Sequence, residues 1–130
     1  MQQRELHEPP EFSVTTASLD GAMVVSVAGE LDMQTAPQLQ EALVACDGNQ
    51  PVVVDVTGLT FIDSSGLHVI FGERGGGKPA ALVVAPESDV ARVLDIVRAN
   101  QVLFVCHDLQ TALQNSGHTD ADPVRSSVAT

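Results

Sequence analysis

Residues 51–72 read PVVVDVTGLTFIDSSGLHVIFG. The opening PVVVDV is an almost unbroken apolar run, the pattern of a parallel strand covered on both faces. Further on, Leu67, Ile70 and Phe71 recur at helical spacing, so a short helix begins near Ser64. Between strand and helix lies a loop that ends in Asp63, Ser64 and Ser65, all residue types whose oxygens accept hydrogen bonds from the free N–H groups of a helix start. One capping residue is enough for one helix. Three in a row, followed by Gly66, leave a hydroxyl on a loop that another protein's backbone can approach. Plain capping and a functional hydroxyl are both open at this point.

Working outward, PVVVDV and AALVVAP are two buried strands joined by this helix, a βαβ unit. Upstream, FSVTTAS and AMVVSVAG are β-prone segments separated by LDG, a turn sequence, and pair as an antiparallel hairpin. Thr35 with Gln38 has the form of a capping box, and Ala36, Leu39, Leu43 and Cys46 share one helical face, which predicts a helix from Ala36 to Cys46. Downstream, Val90, Val93, Leu94 and Val97 mark a helix after PES. VLFV supplies a last strand, and DLQTALQN a last helix capped by Asp108. The order is ββαβαβαβα, an α/β fold with a mixed, mostly parallel sheet of about five strands, an initial antiparallel hairpin and about four helices. The domain spans 11–115, and the polar, breaker-rich ends 1–10 and 116–130 read as disordered tails.

Composition excludes several functions. Apolar residues are 44% of the 130-residue chain but aromatics only 3%, with no Trp or Tyr, so the core is aliphatic. Seventeen acidic against six basic side chains give a formal charge of −11, which argues against binding nucleic acid or an anionic membrane surface. MQQRELHEPPEF has no apolar stretch of signal-peptide type, and no run approaches a membrane span, so the expected location is cytoplasmic. Cys46 and Cys106 lack metal-type spacing and read as small buried apolar residues. No cofactor or metal is expected.

GERGGGKP, residues 72–79, comes within one residue of a phosphate-binding loop. Such a loop needs a strand before its glycines and a helix after them, and the order here is the reverse. Pro79 stands where a Ser or Thr would hold Mg²⁺. The glycines read as a helix-to-strand turn, with Gly75 in the left-handed position after the helix. Nor does any His or Cys lie near an Asp and a nucleophile in a catalytic arrangement, so an enzyme is not expected.

Two blocks, VAGELDMQTAPQLQEAL with Gly29, Glu30, Leu31 and Asp32, and VVVDVTGLTFIDSSGLHVI, resemble a STAS domain, specifically a bacterial anti-sigma factor antagonist. The resemblance implies that Ser64, the first serine of DSSG, is phosphorylated by an anti-sigma factor that is itself a serine kinase. The unphosphorylated antagonist binds that partner and frees sigma factor, phosphorylation switches it off, and a serine phosphatase resets it. Asp32, Asp63, Ser64, Ser65, Gly66 and His68 are the implied partner-binding residues. Asp32 also reads as a turn or cap residue, and His68, one turn after Ser64, as solvated helix surface. The helix after the serines is expected to be about two turns long, shorter than is usual in the family, with only Arg74 and Lys78 as nearby cations. The other functional class is a STAS scaffold or sensor in a signalling or lipid-transport assembly, without Ser64 phosphorylation.

Overall fold

A computed structural model describes residues 11–46, 48–73 and 78–121, the side chains as far as 115. Strands β1 (Ser13–Leu19) and β2 (Ala22–Leu31) pair antiparallel, and β3 (Val52–Ile62), β4 (Ala81–Val83) and β5 (Val105–Cys106) continue the sheet in parallel in the order β1-β2-β3-β4-β5. Four helices, α1 (Ala36–Ala45), α2 (Ser64–Ile70), α3 (Asp89–Ile96) and α4 (Leu109–Ala121), complete the expected order, with an added 3₁₀ turn at Ala99–Gln101. The hairpin turn places Asp20 at φ 52° and Gly21 at φ 81°, the positive angles that a tight two-residue turn requires.

The sheet is covered on both faces, as the unbroken apolar run of β3 predicts. On one face Val25, Val27 and Leu31 of β2 and Val54, Val56, Leu59 and Ile62 of β3 pack under α1, α2 and α3. On the other, Val24, Val53, Ala81, Val83 and Cys106 pack with Ala112 of α4. Val53 and Val54 are both fully buried, so neighbouring positions of one strand each complete a different core.

Several local expectations are corrected. The sequence ends the buried strand before TGLTFI, whereas β3 runs on to Ile62. Its register against β2 shifts twice, between Ser26 and Ala28 and between Gly29 and Glu30. Each shift inserts an extra residue in β3, so its core positions run 54, 56, 59, 62. Thr35 makes no side-chain cap to α1, which ends at Ala45. Its hydroxyl instead donates to the Glu30 carbonyl at 2.8 Å, while the Ala36 N–H donates to the Asp32 carbonyl at 2.8 Å and extends the helix entrance back by a turn.

Helix α2 ends at Ile70, and Gly72, not Gly75, takes the left-handed position after it. Gly72 has φ 79°, its N–H donates to the Val69 carbonyl, and the Glu73 N–H donates to the His68 carbonyl, the paired bonds of a Schellman end. Gly75 itself lies outside the described residues. The last strand is Val105–Cys106 and not VLFV, because the N–H groups of Val102 and Leu103 both donate back to the Ala99 carbonyl. Helix α4 continues to Ala121, past Asn115 where the sequence places the end of the domain. Once a helix is nucleated each further residue adds a bond, so polar residues can extend it. Segments 1–10 and 122–130 lie outside the described residues.

Candidate functional site

The site forms where β2 and β3 end side by side. Leu31 and Ile62 are register partners, and the Asp63 N–H donates to the Leu31 carbonyl at 3.1 Å. Sequence positions 32 and 63, far apart in the chain, are thereby held at one edge of the sheet. Asp63 is the cap of α2: its Oδ1 accepts the Ser65 N–H at 2.9 Å and the Gly66 N–H at 3.2 Å. With that role filled by Asp63, the Ser64 side chain is left exposed, and its hydroxyl has no hydrogen-bond partner among the described residues. Ser65 is half-buried beside it.

Asp32 caps its own turn. Its Oδ1 accepts the N–H groups of Gln34 at 3.0 Å and Thr35 at 3.1 Å, and its N–H donates to the Thr35 hydroxyl oxygen at 2.9 Å. The carboxylate is therefore structural, although half-exposed next to the Ser64 loop.

Gly66 departs from its sequence reading. It is buried, and a Cβ there would lie 2.6 Å from Leu31 Cγ and 3.1 Å from Ile62 Cγ1. The glycine is needed for α2 to sit against the ends of β2 and β3. His68 is exposed one turn along α2, and its Nδ1 pairs with the Glu73 carboxylate. Sequence reasoning missed Glu73, which the Schellman end folds back onto His68; recognising Gly72 as the helix stop would have found it.

The phosphate-loop match fails on structure as well. Gly72 closes a helix, β4 follows Pro79, and the Lys78 ammonium approaches the Val102 carbonyl at 3.4 Å. Burial pushes the Cys106 thiol up from its ordinary pKa, and Cys46 is half-buried, so the two cysteines differ in environment. Among the described residues no group of three or more His, Cys, Asp or Glu is arranged to hold a metal ion, and no helix is long and apolar enough to cross a membrane.

A five-stranded mixed sheet whose parallel strand ends in a capped Asp-Ser-Ser-Gly helix start defines the class: residues 13–112 match the STAS domain family, and the chain belongs to it. It is similar to the anti-sigma-F factor antagonist RsfB of Mycobacterium tuberculosis, with 30% identity over 109 residues that cover 81% of this chain and 89% of RsfB. An anti-sigma-B factor antagonist of Staphylococcus aureus is 34% identical over 63 residues, 47% of this chain and 58% of the relative. Among solved structures, an anti-sigma factor antagonist from Mycobacterium paratuberculosis superposes with a TM-score of 0.72 at 27% identity, covering 82% of this chain and 95% of that one. The unphosphorylated form of the anti-sigma factor antagonist SpoIIAA shares the fold, with a TM-score of 0.58 at 17% identity over 82% of this chain and 97% of that one.

Proposed function

We propose that this chain is an anti-sigma factor antagonist that binds an anti-sigma factor serine kinase, frees sigma factor, and is switched off by phosphorylation of Ser64. It acts as a cytoplasmic, non-enzymatic regulator of transcription, reset by a serine phosphatase. The observation that carries the reading is the Ser64 hydroxyl: exposed, without a hydrogen-bond partner among the described residues, and released from capping duty by Asp63. The 30% identity to the anti-sigma-F factor antagonist RsfB over most of both chains supports an anti-sigma factor as the partner.

The energetics suit a switch. A phosphate adds about −1.5 to −2 charges at pH 7. On an exposed residue at a helix start the fold tolerates it. In an interface the same group must be desolvated beside Asp63 and Asp32, at a cost of several kcal/mol. A loss of about 3 kcal/mol weakens binding more than a hundredfold.

The test is to incubate the chain with ATP and the anti-sigma serine kinases encoded in its genome, locate phosphate by mass spectrometry, and compare binding of both forms. Phosphate on Ser64 and loss of binding in that form are expected. Ser64→Ala should bind and stay unmodified. Full-stoichiometry phosphate on Ser65 or Thr60 in that variant overturns the assignment.

A further inference from the structure

Two large apolar side chains stand in solvent at the paired strand ends that lead into the Asp32 turn and the Ser64 loop. Met33, in the turn after β2, is 73% exposed, and Phe61, next to last in β3, is 46% exposed. The chain has four Phe, three Met and no Tyr or Trp, so a Phe and a Met left outside at one edge of the sheet are a large fraction of its bulky flexible and aromatic surface.

The exposure of Phe61 is built into the backbone. Gly29 pairs with Leu59 and Glu30 with Phe61, so Thr60 is the extra residue of the second register shift. Without that shift strict alternation from the buried Leu59 would turn Phe61 into the core and Ile62 out of it. With it Ile62 is buried, Phe61 faces solvent, and the Thr60 hydroxyl donates to the Gly29 carbonyl at 3.3 Å. A bulge that re-aims one aromatic three residues before an exposed serine is a device for a surface.

Met33 is fixed in the same place from the other strand. The Asp32 cap holds its turn, and the Asp63 bond to the Leu31 carbonyl ties that turn to the serine loop. Among the described residues of these strand ends the charges are acidic: Glu30, the register partner of Phe61, is exposed, and Asp32 and Asp63 are half-exposed. The edge thus offers two apolar projections in an acidic rim.

We infer that Met33 and Phe61 are the apolar anchors by which this chain grips its anti-sigma partner, entering apolar pockets of that protein inside a basic rim. The inference rests on the function proposed above. Anchors of this kind dominate interface energetics while the charged rim steers. They also explain why a phosphate at Ser64 breaks the complex, since it places a dianion in the part of the interface that must be dry.

The experiment measures binding of the anti-sigma serine kinases from the same genome to wild type, Met33→Ala, Phe61→Ala, and the distant exposed controls Ile96→Ala and Val102→Ala, with melting curves for each and sedimentation of the free chain. Expected is a loss of about thirtyfold or more in affinity for Phe61→Ala, and about tenfold for Met33→Ala. The controls should stay within about twofold, with every melting curve unchanged. The loss should be the same at low and high salt, since it is apolar. Wild-type binding that both substitutions leave intact overturns the anchors and leaves the proposed function standing. No wild-type binding to any such kinase overturns both. A free dimer that Phe61→Ala dissolves makes the patch a contact between copies and overturns the anchors as well.

Discussion

Gly66→Ala separates two effects of opposite sign. In a helix, alanine is favoured over glycine by up to about 1 kcal/mol, so propensity alone makes the variant more stable. Against this, the new methyl would lie 2.6 Å from Leu31 Cγ, 2.7 Å from Leu31 Cδ2 and 3.1 Å from Ile62 Cγ1. Neither neighbour can retreat freely: Leu31 is 0% and Ile62 5% exposed, and the Leu31 carbonyl is bonded to Asp63. Overpacking costs about 1–3 kcal/mol, and an approach of 2.6 Å to a fully buried leucine belongs to the upper part of that range, about 2–3 kcal/mol, so the clash wins and leaves a net loss of about 1–2 kcal/mol. At about 4–8 °C per kcal/mol for a domain of this size, the melting temperature falls by roughly 5–15 °C. Thermal and urea denaturation read the change directly. A double-mutant cycle locates its cause, because Leu31→Ala, itself costing about 2–5 kcal/mol, opens the space and should make the added methyl neutral or favourable in that background. A Gly66→Ala variant as stable as wild type, or one equally damaged with and without Leu31, would refute the close approach of α2 to β2.

Asp63→Ala removes the acceptor of two N–H bonds and should cost about 0.5–2 kcal/mol by urea denaturation, while Ser64→Ala, whose hydroxyl is unbonded, should cost less. The Thr111 backbone N–H and hydroxyl, which donate to Asp108, hold its carboxyl below its ordinary pKa. A lowered folded pKa gives stability that is present above the unfolded value and lost as pH falls through the folded one, so the stability gap between wild type and Asp108→Ala should narrow at the acid end of a pH series. At neutral pH a thiol reagent should label half-buried Cys46 well before Cys106, whose thiol is kept protonated by burial, and the two should react alike in denaturant. High salt should not restore binding of the Ser64-phosphorylated chain to its partner, because screening relieves repulsion and not desolvation; recovery at high salt would assign the switch to charge repulsion instead.

The elements that could be read from sequence are those whose signals are local. The Leu-Asp-Gly turn between two β-prone segments, the apolar run of β3 and the Asp63 cap before α2 each depend on residues within a few positions of one another. The second half of β3 was hidden because its two bulges space Val56, Leu59 and Ile62 by three, which destroys the period of two that identifies a strand. Only pairing with β2, a non-local interaction, makes that segment a strand. Thr35 looked like a cap because its spacing to Gln38 fits one, yet Asp32 takes the N–H groups of the preceding turn and leaves the Thr35 hydroxyl bonded to Glu30. Among several glycines after α2, the one that ends it is chosen by which carbonyls its neighbours can reach, and Gly72 reaches first. The site residues Ser64 and Asp63 were legible as a helix start. Their neighbour Asp32 was a matter of register, and Gly66 gives the same letter whether it opens a surface or admits a buried leucine.

The same contacts bear on how a switch at Ser64 would act. A phosphate at a helix start would ordinarily be drawn to the free N–H groups there, but Asp63 Oδ1 already holds those of Ser65 and Gly66. With seven residues, α2 has only a short stack of peptide dipoles with which to hold a second anion. Displacing Asp63 would also leave two anions competing for one helix start, and two unit charges about 6 Å apart in water repel by roughly 0.7 kcal/mol. The lower-energy arrangement keeps Asp63 as the cap and the phosphate outward in solvent, so modification leaves α2, Gly66 and the Leu31 contact as they were. What would change is the outer surface alone: an uncharged, exposed hydroxyl at the strand end that carries Phe61 would become a hydrated dianion. A partner that accepts the two apolar side chains would have to strip hydration from that dianion, a cost that its basic rim offsets only in part. The cost would then fall on the complex and not on the fold, and this division would let a single serine control binding.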